Sequence, residues 1–247
     1  MISRRTIVIT GGTRGLGKVL VQTFLKEKWR VAILARHRPS DFSARGNGLF
    51  LKADVTQARE LDVAAAQITH EWGRIDVWIN NAGGGKKAPF IGRHEQEWSE
   101  IFNVNFWGAI NGCRTAIRGM LGDKKGGVII NIASLAGIYA CPHHSAYSTA
   151  KAAVIALTRS LAVEYADRNI RINAIAPGPL DTEGFRAVGG NPQKRAQSIP
   201  TRKMVSPREI GEACLFLAKP LVSLTGHILT IDGGSAAIGC YAAVGKQ

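Results

Sequence analysis

The first motif of the chain reads Thr10-Gly11-Gly12-Thr13-Arg14-Gly15-Leu16-Gly17. It follows the apolar run Ile7-Val8-Ile9 and opens an amphipathic stretch, Leu16–Glu27, that is typical of a helix. Glycines in a strand-to-helix turn let the backbone bend tightly and approach a phosphate, which the free N–H groups of the helix then bind. The position of this turn therefore predicts a dinucleotide-binding βαβ unit.

The rest of the chain continues the alternation of strand and helix. Apolar runs without strict alternation, as expected of parallel strands covered on both faces, predict strands at Thr6–Thr10, Arg30–Ala35, Leu49–Ala53, Val77–Asn80, Gly127–Ala133, Arg171–Ile175 and His227–Ile231. Helical periodicity is seen in Leu16–Glu27, Arg59–Trp72, Glu95–Met120, Ala146–Tyr165 and Pro207–Lys219. We expect one α/β domain over residues 1–247, a doubly wound (Rossmann) parallel seven-stranded sheet with helices on both faces. Residues 1–110 would form its cofactor half and residues 111–247 its catalytic half.

The chain is strongly basic, with a formal net charge of +14. The excess is uneven, because residues 1–52 hold eleven Lys and Arg residues against only Glu27 and Asp41. Such a surface attracts anions, including cofactor phosphates, nucleic acids and acidic proteins. No recognised nucleic-acid motif accompanies the charge, so we expect no DNA or RNA partner.

Composition also argues against membrane and metal-binding classes. No run reaches the roughly 18 apolar residues of a membrane helix, and the first strand begins too early for a signal peptide, so we expect a cytoplasmic protein. The adjacent His143-His144 can rarely converge on one ion, and no metal-ligand spacing occurs among the cysteines. We expect no metal and free thiols at Cys113, Cys141, Cys214 and Cys240.

The spacing of Gly11, Gly15 and Gly17 resembles the cofactor turn of the short-chain dehydrogenase/reductase family. Two later motifs fit the same family. Asp54-Val55 follows the third strand, where the resemblance implies a contact with adenine, and Asn80-Asn81-Ala82-Gly83 ends the fourth, where small residues pass close to the cofactor.

The second strand decides which dinucleotide is expected. In NAD enzymes of this fold an acidic residue near its end binds the ribose hydroxyls. Here Ala35 stands at that place, and Arg36 follows it. Arg36 and Arg14 can pair with a 2′-phosphate, which an aspartate would repel. The predicted cofactor is therefore NADP(H).

Tyr147-Ser148-Thr149-Ala150-Lys151 places a phenol and an ammonium on one face of a helix. Reduction of a carbonyl needs a proton donor, and the ordinary pKa of a phenol is near 10. A cation about 4 Å away, at an effective dielectric of about 20, contributes about 4 kcal/mol, or roughly three pKa units. We therefore predict that Tyr147 transfers the proton and that Lys151 lowers its pKa.

The resemblance extends over about residues 5–235 and implies two further catalytic residues. Ser134 follows the fifth strand and would hydrogen-bond the substrate oxygen, while Asn105 would hold a water that connects Lys151 to solvent. Contacts with the cofactor are implied for Gly11, Thr13, Arg14, Gly15, Leu16, Gly17, Ala35, Arg36, Asp54, Val55, Asn81, Ala82, Gly83, Tyr147, Lys151, Pro177, Gly178, Leu180 and Thr182.

Substrate specificity is expected from Glu183–Pro200, from Gly84–Pro89 and from the residues between Ser134 and Tyr147. The first of these segments combines Gly, Pro and basic residues without helical periodicity, which predicts a mobile lid. Candidate substrate contacts are Gly84, Leu135, His144 and Phe185.

Three functions remain open. The length, the motifs and the predicted cofactor resemble those of 3-oxoacyl-[acyl-carrier-protein] reductases. The substrate of these enzymes is an acyl thioester on an acidic carrier protein, which Lys125 and Arg168 would attract. The second function is a broader NADP(H)-dependent carbonyl reductase of sugars, small ketones, quinones or secondary-metabolite intermediates. The third is a regulatory protein that binds dinucleotide without turnover. The complete catalytic set favours an enzyme that interconverts a ketone and a secondary alcohol, and the resemblance implies a homotetramer or homodimer.

Overall fold

The computed structural model describes residues 4–39, 46–187 and 190–237. Its strands form one parallel sheet in the order β3-β2-β1-β4-β5-β6-β7. They are β1 (Thr6–Thr10), β2 (Arg30–Ala35), β3 (Gly48–Lys52), β4 (Val77–Asn80), β5 (Gly127–Ile132), β6 (Ile170–Pro177) and β7 (Ile228–Ile231). The predicted seven-stranded parallel sheet is confirmed. β6 runs two residues beyond its predicted end, because Ala176 and Pro177 pair with Thr230 and Ile231 of β7.

The helices lie against both faces of the sheet. They are α1 (Gly15–Lys26), α2 (Ala58–Trp72), α3 (Glu95–Phe102), α4 (Gly108–Gly122), α5 (Ser145–Glu164), α6 (Glu183–Ala187), α7 (Pro192–Ala196) and α8 (Pro207–Ala218). None of the helices in the described ranges is long and apolar enough to cross a membrane.

Alternate residues of the central strands face opposite cores. Ile7 and Ile9 of β1 pack on one side with Leu20 and Phe24 of α1 and with parts of α8. Val8, between them, packs on the other side, in the core formed with α2 and α4. Because both faces are covered, the strands read as continuous apolar runs, which is why their positions were predictable.

The predicted long helix Glu95–Met120 is interrupted. Between α3 and α4 the backbone forms a π-helical turn at Asn103–Trp107, which inserts an extra residue into the helical path. Asn105 lies in this turn and is buried. Such turns occur frequently at functional sites, and this one directs Asn105 toward the end of β4.

The segment Glu183–Pro200 contains α6 and α7, although no helical periodicity was evident from the sequence. α7 begins at Pro192 and is capped by Asn191, whose side chain accepts a hydrogen bond from Lys194 N. Residues 188 and 189 of this segment, and Cys240 in the carboxyl-terminal tail, lie outside the described residues.

The order of the strands reverses between β1 and β4. In open α/β sheets ligands bind at such a switch point, outside the carboxyl ends of the strands. The glycine-rich turn after β1, the loop after β4 and Ser134 after β5 all lie at this edge.

Candidate active site

The glycine-rich turn is held against the end of β4 by a set of hydrogen bonds. Asn81 Nδ2 donates to the carbonyls of Thr10 (2.9 Å) and Gly11 (3.2 Å). Thr10 Oγ1 accepts from the backbone N–H groups of Asn81 (3.0 Å) and Ala82 (3.1 Å). A Cβ on Gly17 would lie 2.1 Å from the Gly11 carbonyl oxygen, so only glycine allows the turn to close on α1.

The amino terminus of α1 is open to an anion. No side chain caps it, and its first turn contains no acidic residue. Gly15 has a positive φ of 51°, and a Cβ built there would meet nothing within 4 Å. Together with the partly buried Thr13 and the buried Leu16, these groups form an open cradle at the positive end of the helix dipole. The residues present therefore fit a dinucleotide pyrophosphate.

Two exposed arginines flank this cradle. Arg14 precedes α1 in an extended conformation, and Arg36 follows β2 directly. The two segments meet because Gly11 N donates to the Leu34 carbonyl at 2.8 Å. Ala35, where an acidic residue would favour NAD, pairs in register with Lys52 of β3. The local charge is therefore positive, which fits a 2′-phosphate.

The remaining predicted cofactor residues form local contacts around the cleft. Asp54 Oδ1 accepts from both Thr56 N and Thr56 Oγ1 at 2.9 Å, and Val55 is buried. On the opposite side, Pro177 ends β6 and Gly178 packs on Asp232, which a Cβ would approach to within 2.8 Å.

Beyond Gly178 the chain turns towards α6. Leu180 forms a parallel bridge with Val205, which fixes the path of this segment. Thr182 Oγ1 accepts from Phe185 N at 3.2 Å and so caps α6. The Thr182 hydroxyl proton is left available for a further hydrogen bond, so the cap is compatible with the predicted contact.

Tyr147 and Ser134 lie together at the carboxyl edge of the sheet. Ser134 caps the short 3₁₀ turn Leu135–Gly137, accepting from Ala136 N at 3.1 Å. Its side chain also lies close enough to Tyr147 to lower the pKa of the phenol. Burial nevertheless raises the pKa of the Tyr147 phenol, because it outweighs the opposing effect of Ser134. The structure thus differs from the sequence-based expectation of a lowered pKa.

Lys151 is buried in α5 one turn after Tyr147. Its Nζ donates to the Ile132 carbonyl at 2.8 Å and lies 5.7 Å from the centre of the Tyr147 ring. Burial lowers the pKa of Lys151 to about 8. Besides burial, the groups that shift the pKa of Tyr147 are Ser134 and Cys141, so the predicted lowering of this pKa by the Lys151 ammonium is not seen.

Asn105 holds the loop after β4 through its side-chain amide. Its Nδ2 donates to the carbonyls of Gly84 (2.7 Å) and Ile101 (2.8 Å), and its Oδ1 accepts from Gly84 N at 3.0 Å. A Cβ on Gly83 would lie 2.6 Å from Asn105 Oδ1 and 3.3 Å from Lys151 Nζ. The small residues of this loop therefore allow Asn105 and Lys151 to approach each other.

Of the predicted substrate residues, His144 has a direct ring contact with Tyr147, and Leu135 and Gly84 lie in segments next to catalytic residues. The ring of His144 is 6.0 Å from the Tyr147 ring, Leu135 opens the turn after Ser134, and Gly84 is held by Asn105. The contacts of Phe185 lie within its own segment, where its carbonyl accepts from Gly190 N at 3.0 Å.

Sequence reasoning missed Ile132 and gave no individual role to Thr10 or Gly85, although both lie in segments that it named. Thr10 is a polar residue at the end of an apolar strand, a signal that could have identified it. The contact of Ile132 is made by its backbone carbonyl, so its side-chain type gives no indication of it in the sequence. A Cβ on Gly85 would lie 3.1 Å from Tyr147 Cβ, a contact that depends on the loop conformation.

No cluster of three or more potential metal ligands occurs within the described ranges. Cys113 and Cys214 are buried free thiols, and burial raises the pKa of Cys113 to about 12. Cys141 is also free, and its Sγ lies 3.1 Å from His144 Nδ1.

Comparison with known proteins agrees with this geometry. A family profile described as enoyl-(acyl carrier protein) reductase matches residues 11–236. The chain belongs to the short-chain dehydrogenase/reductase family of oxidoreductases.

Its relatives have different substrates in their names. The chain is 35% identical to 3beta-hydroxysteroid dehydrogenase 1 of Eggerthella lenta, over 93% of each protein. It is 31% identical to the 3-oxoacyl-[acyl-carrier-protein] reductase FabG of Chlamydia trachomatis, covering 96% of this chain and 99% of that protein. The solved structure of ElxO with NADP bound superimposes with a TM-score of 0.89 at 31% identity, covering 95% of this chain and 99% of that one.

Proposed function

We propose that this protein is an NADP(H)-dependent carbonyl reductase in which Tyr147 donates the proton to the substrate oxygen. The observation that carries the proposal is the position of Tyr147 and Ser134 at the switch point of the sheet, beside an uncapped, glycine-lined helix amino terminus. In such an enzyme the reacting oxygen binds between the two hydroxyl groups.

NADP(H) is the proposed cofactor because Arg14 and Arg36 flank the cradle and no carboxylate occupies the end of β2. ElxO, a related protein by structure and sequence, was solved with NADP bound, which supports the assignment. When bound, NADPH supplies the hydride that reduces the carbonyl carbon.

The protonation state of the phenol suits the role of a proton donor. Because burial raises the pKa of Tyr147, the phenol keeps its proton throughout the neutral range and is suited to donate it. Lys151, with a pKa of about 8, can carry a proton towards the phenol and release it again near neutral pH. Asn105 acts as a positioning residue, since its side chain binds both backbone groups of Gly84.

The proposal is tested by measuring NADPH oxidation on a panel of ketones that includes an acetoacetyl thioester. We expect turnover by the wild type and its loss in Tyr147→Phe, with the affinity for NADPH unchanged. Tyr165→Phe, at the far end of α5, is the matched control and should retain activity. Equal rates for wild type and Tyr147→Phe would refute the mechanism.

The similarity to FabG makes a carrier-bound 3-oxoacyl thioester the second candidate substrate. Lys125 and Arg168 are exposed and lie just before β5 and β6. Lys125 lines a cavity of about 310 Å³ together with Arg5 and Arg74. This basic edge is opposite to the edge that holds Tyr147 of the same chain. Carrier-dependent activity that is insensitive to salt, or to Lys125→Glu and Arg168→Glu together, would exclude docking on this edge.

We propose a homotetramer or homodimer that pairs through α3, α4 and α5 and across the last strand, β7. Light scattering coupled to size-exclusion chromatography would determine the number of chains, and a monomer would refute this part of the proposal.

A further inference from the structure

The loop after β4 is attached at two points to the segment that contains Tyr147. Gly85 packs against Tyr147, where a Cβ would approach to within 3.1 Å of Tyr147 Cβ. Ala88 N donates to the His143 carbonyl at 3.0 Å. Lys86 and Lys87 lie between these two attachments, so their backbone is held at the rim of the cleft that contains Tyr147.

Both lysines are exposed, and neither forms an ion pair with any residue in the described ranges. Two adjacent exposed lysines are ordinarily no more than solvated surface. Here, Arg93 and His144 lie next to the two lysines and indicate an anion-binding role.

Arg93 lies under this loop as a buried cation, with its side chain 1% exposed. Its Nη2 donates to the Lys86 carbonyl at 2.6 Å, while its Nε is buried without a hydrogen-bond partner. Its acidic neighbour Glu97 is 3.8 Å away and also accepts from His94 N, as part of the cap of α3. A buried charge with so little pairing is costly, and its field acts on the loop above it.

His144 experiences the same positive potential. Burial lowers the pKa of its imidazole, and the charges of Lys87, Arg93 and His143 lower it further. Its ring lies 6.0 Å from the ring of Tyr147, which places this potential next to the proposed proton donor. The imidazole is therefore favoured in its neutral form, and an anion bound beside it would be attracted by the positive charges of Lys87 and Arg93.

We propose that the carbonyl substrate carries an anionic group, a carboxylate or a phosphate, which binds between Lys86, Lys87 and His144 while Tyr147 protonates the carbonyl oxygen. This inference rests on the proposed reductase function and specifies its substrate class. Arg93 acts as a positioning residue, holding the backbone of Lys86 and adding charge beneath it.

The test compares pairs of ketones that differ only in charge. Acetoacetate is paired with ethyl acetoacetate, and dihydroxyacetone phosphate with dihydroxyacetone, so that the two arms distinguish carboxylate from phosphate. With NADPH we expect kcat/KM for the anion of at least one pair to exceed that of its neutral partner by about tenfold or more, as for other charge-assisted contacts. Added salt should raise the KM of the anion and leave that of the neutral ketone unchanged.

The double variant Lys86→Gln/Lys87→Gln should remove the preference by raising the KM of the anion, with kcat for the neutral ketone retained. Lys26→Gln/Lys28→Gln, which removes two exposed lysines at the carboxyl end of α1, is the matched control and should keep the preference. Equal turnover of charged and neutral ketones, or equal effects of the two double variants, would overturn the inference and leave the reductase function standing. If none of the four compounds is reduced, the inference is overturned. The reductase function itself is tested by the wider panel of ketones.

Discussion

Replacing Lys151 by Met tests the consequence of burying an ammonium at the centre of the site. Burial lowers the pKa of Lys151 from 10.5 to about 8. Between these pH values the unfolded chain binds a proton that the folded protein does not, so the free energy of unfolding rises with pH. At about 1.36 kcal/mol for each pH unit, the rise amounts to about 3 kcal/mol.

Methionine is unbranched and apolar, so it removes the titrating group while filling similar space. Urea unfolding of the wild type and of Lys151→Met should be followed between about pH 7 and pH 10.5. The unfolding free energy of the wild type, relative to that of Lys151→Met, should increase by about 3 kcal/mol from the low to the high end of this pH range. The variant should also lose reductase activity.

Lys52→Met, which removes an exposed lysine from β3, serves as the control and should leave the pH dependence of stability unchanged. Parallel curves for the wild type and Lys151→Met would refute the reasoning, because they would mean that Lys151 titrates alike in the folded and unfolded chains.

Three further substitutions probe the cleft. Gly17→Ala places a Cβ 2.1 Å from the Gly11 carbonyl, and because overpacking costs about 1–3 kcal/mol it should weaken NADPH binding by roughly ten- to a hundredfold in a fluorescence titration. Gly83→Ala places a Cβ 2.6 Å from Asn105 Oδ1 and should lower kcat by about tenfold and the unfolding free energy by about 1–3 kcal/mol. Arg36→Asp should raise the KM for NADPH by about tenfold or more and leave that for NADH unchanged or lower.

Two controls accompany these substitutions. Gly119→Ala, where a Cβ meets nothing within 4 Å, should preserve activity and stabilise α4 by up to about 1 kcal/mol. Arg208→Asp removes an exposed arginine from α8 and should not change cofactor preference. Wild-type behaviour of Gly17→Ala and Gly83→Ala would contradict the close packing at these two glycines. A preference for NADH that Arg36→Asp leaves unchanged would overturn the cofactor assignment.

The sheet could be predicted from the sequence because its signal is local. Each central strand is a short apolar run, and β1 and β2 match their predicted bounds. The glycine-rich turn and the pair Tyr147 and Lys151 were identifiable for a similar reason, since their meaning lies in spacing along one turn or one helix.

The remaining features depend on contacts between distant segments. The π-helical turn at Asn103–Trp107 has the same apolar periodicity as an α-helix, and Asn105 bonds Gly84 across the fold. The raised pKa of Tyr147 follows from burial, which no local spacing reports. By contrast, α7 carried a readable signal, because Asn191 and Pro192 form a cap followed by a proline at the first helical position.

Transfer of deuterium from NADPH labelled at C4 of the nicotinamide tests the central claim most directly. The wild type, given the labelled cofactor and a ketone of the panel, should form an alcohol that carries one deuterium on the former carbonyl carbon, detected by mass spectrometry. Tyr147→Phe should bind the cofactor with unchanged affinity and form almost no labelled alcohol. Labelled alcohol formed at the wild-type rate by Tyr147→Phe would contradict the assignment of Tyr147 as the proton donor.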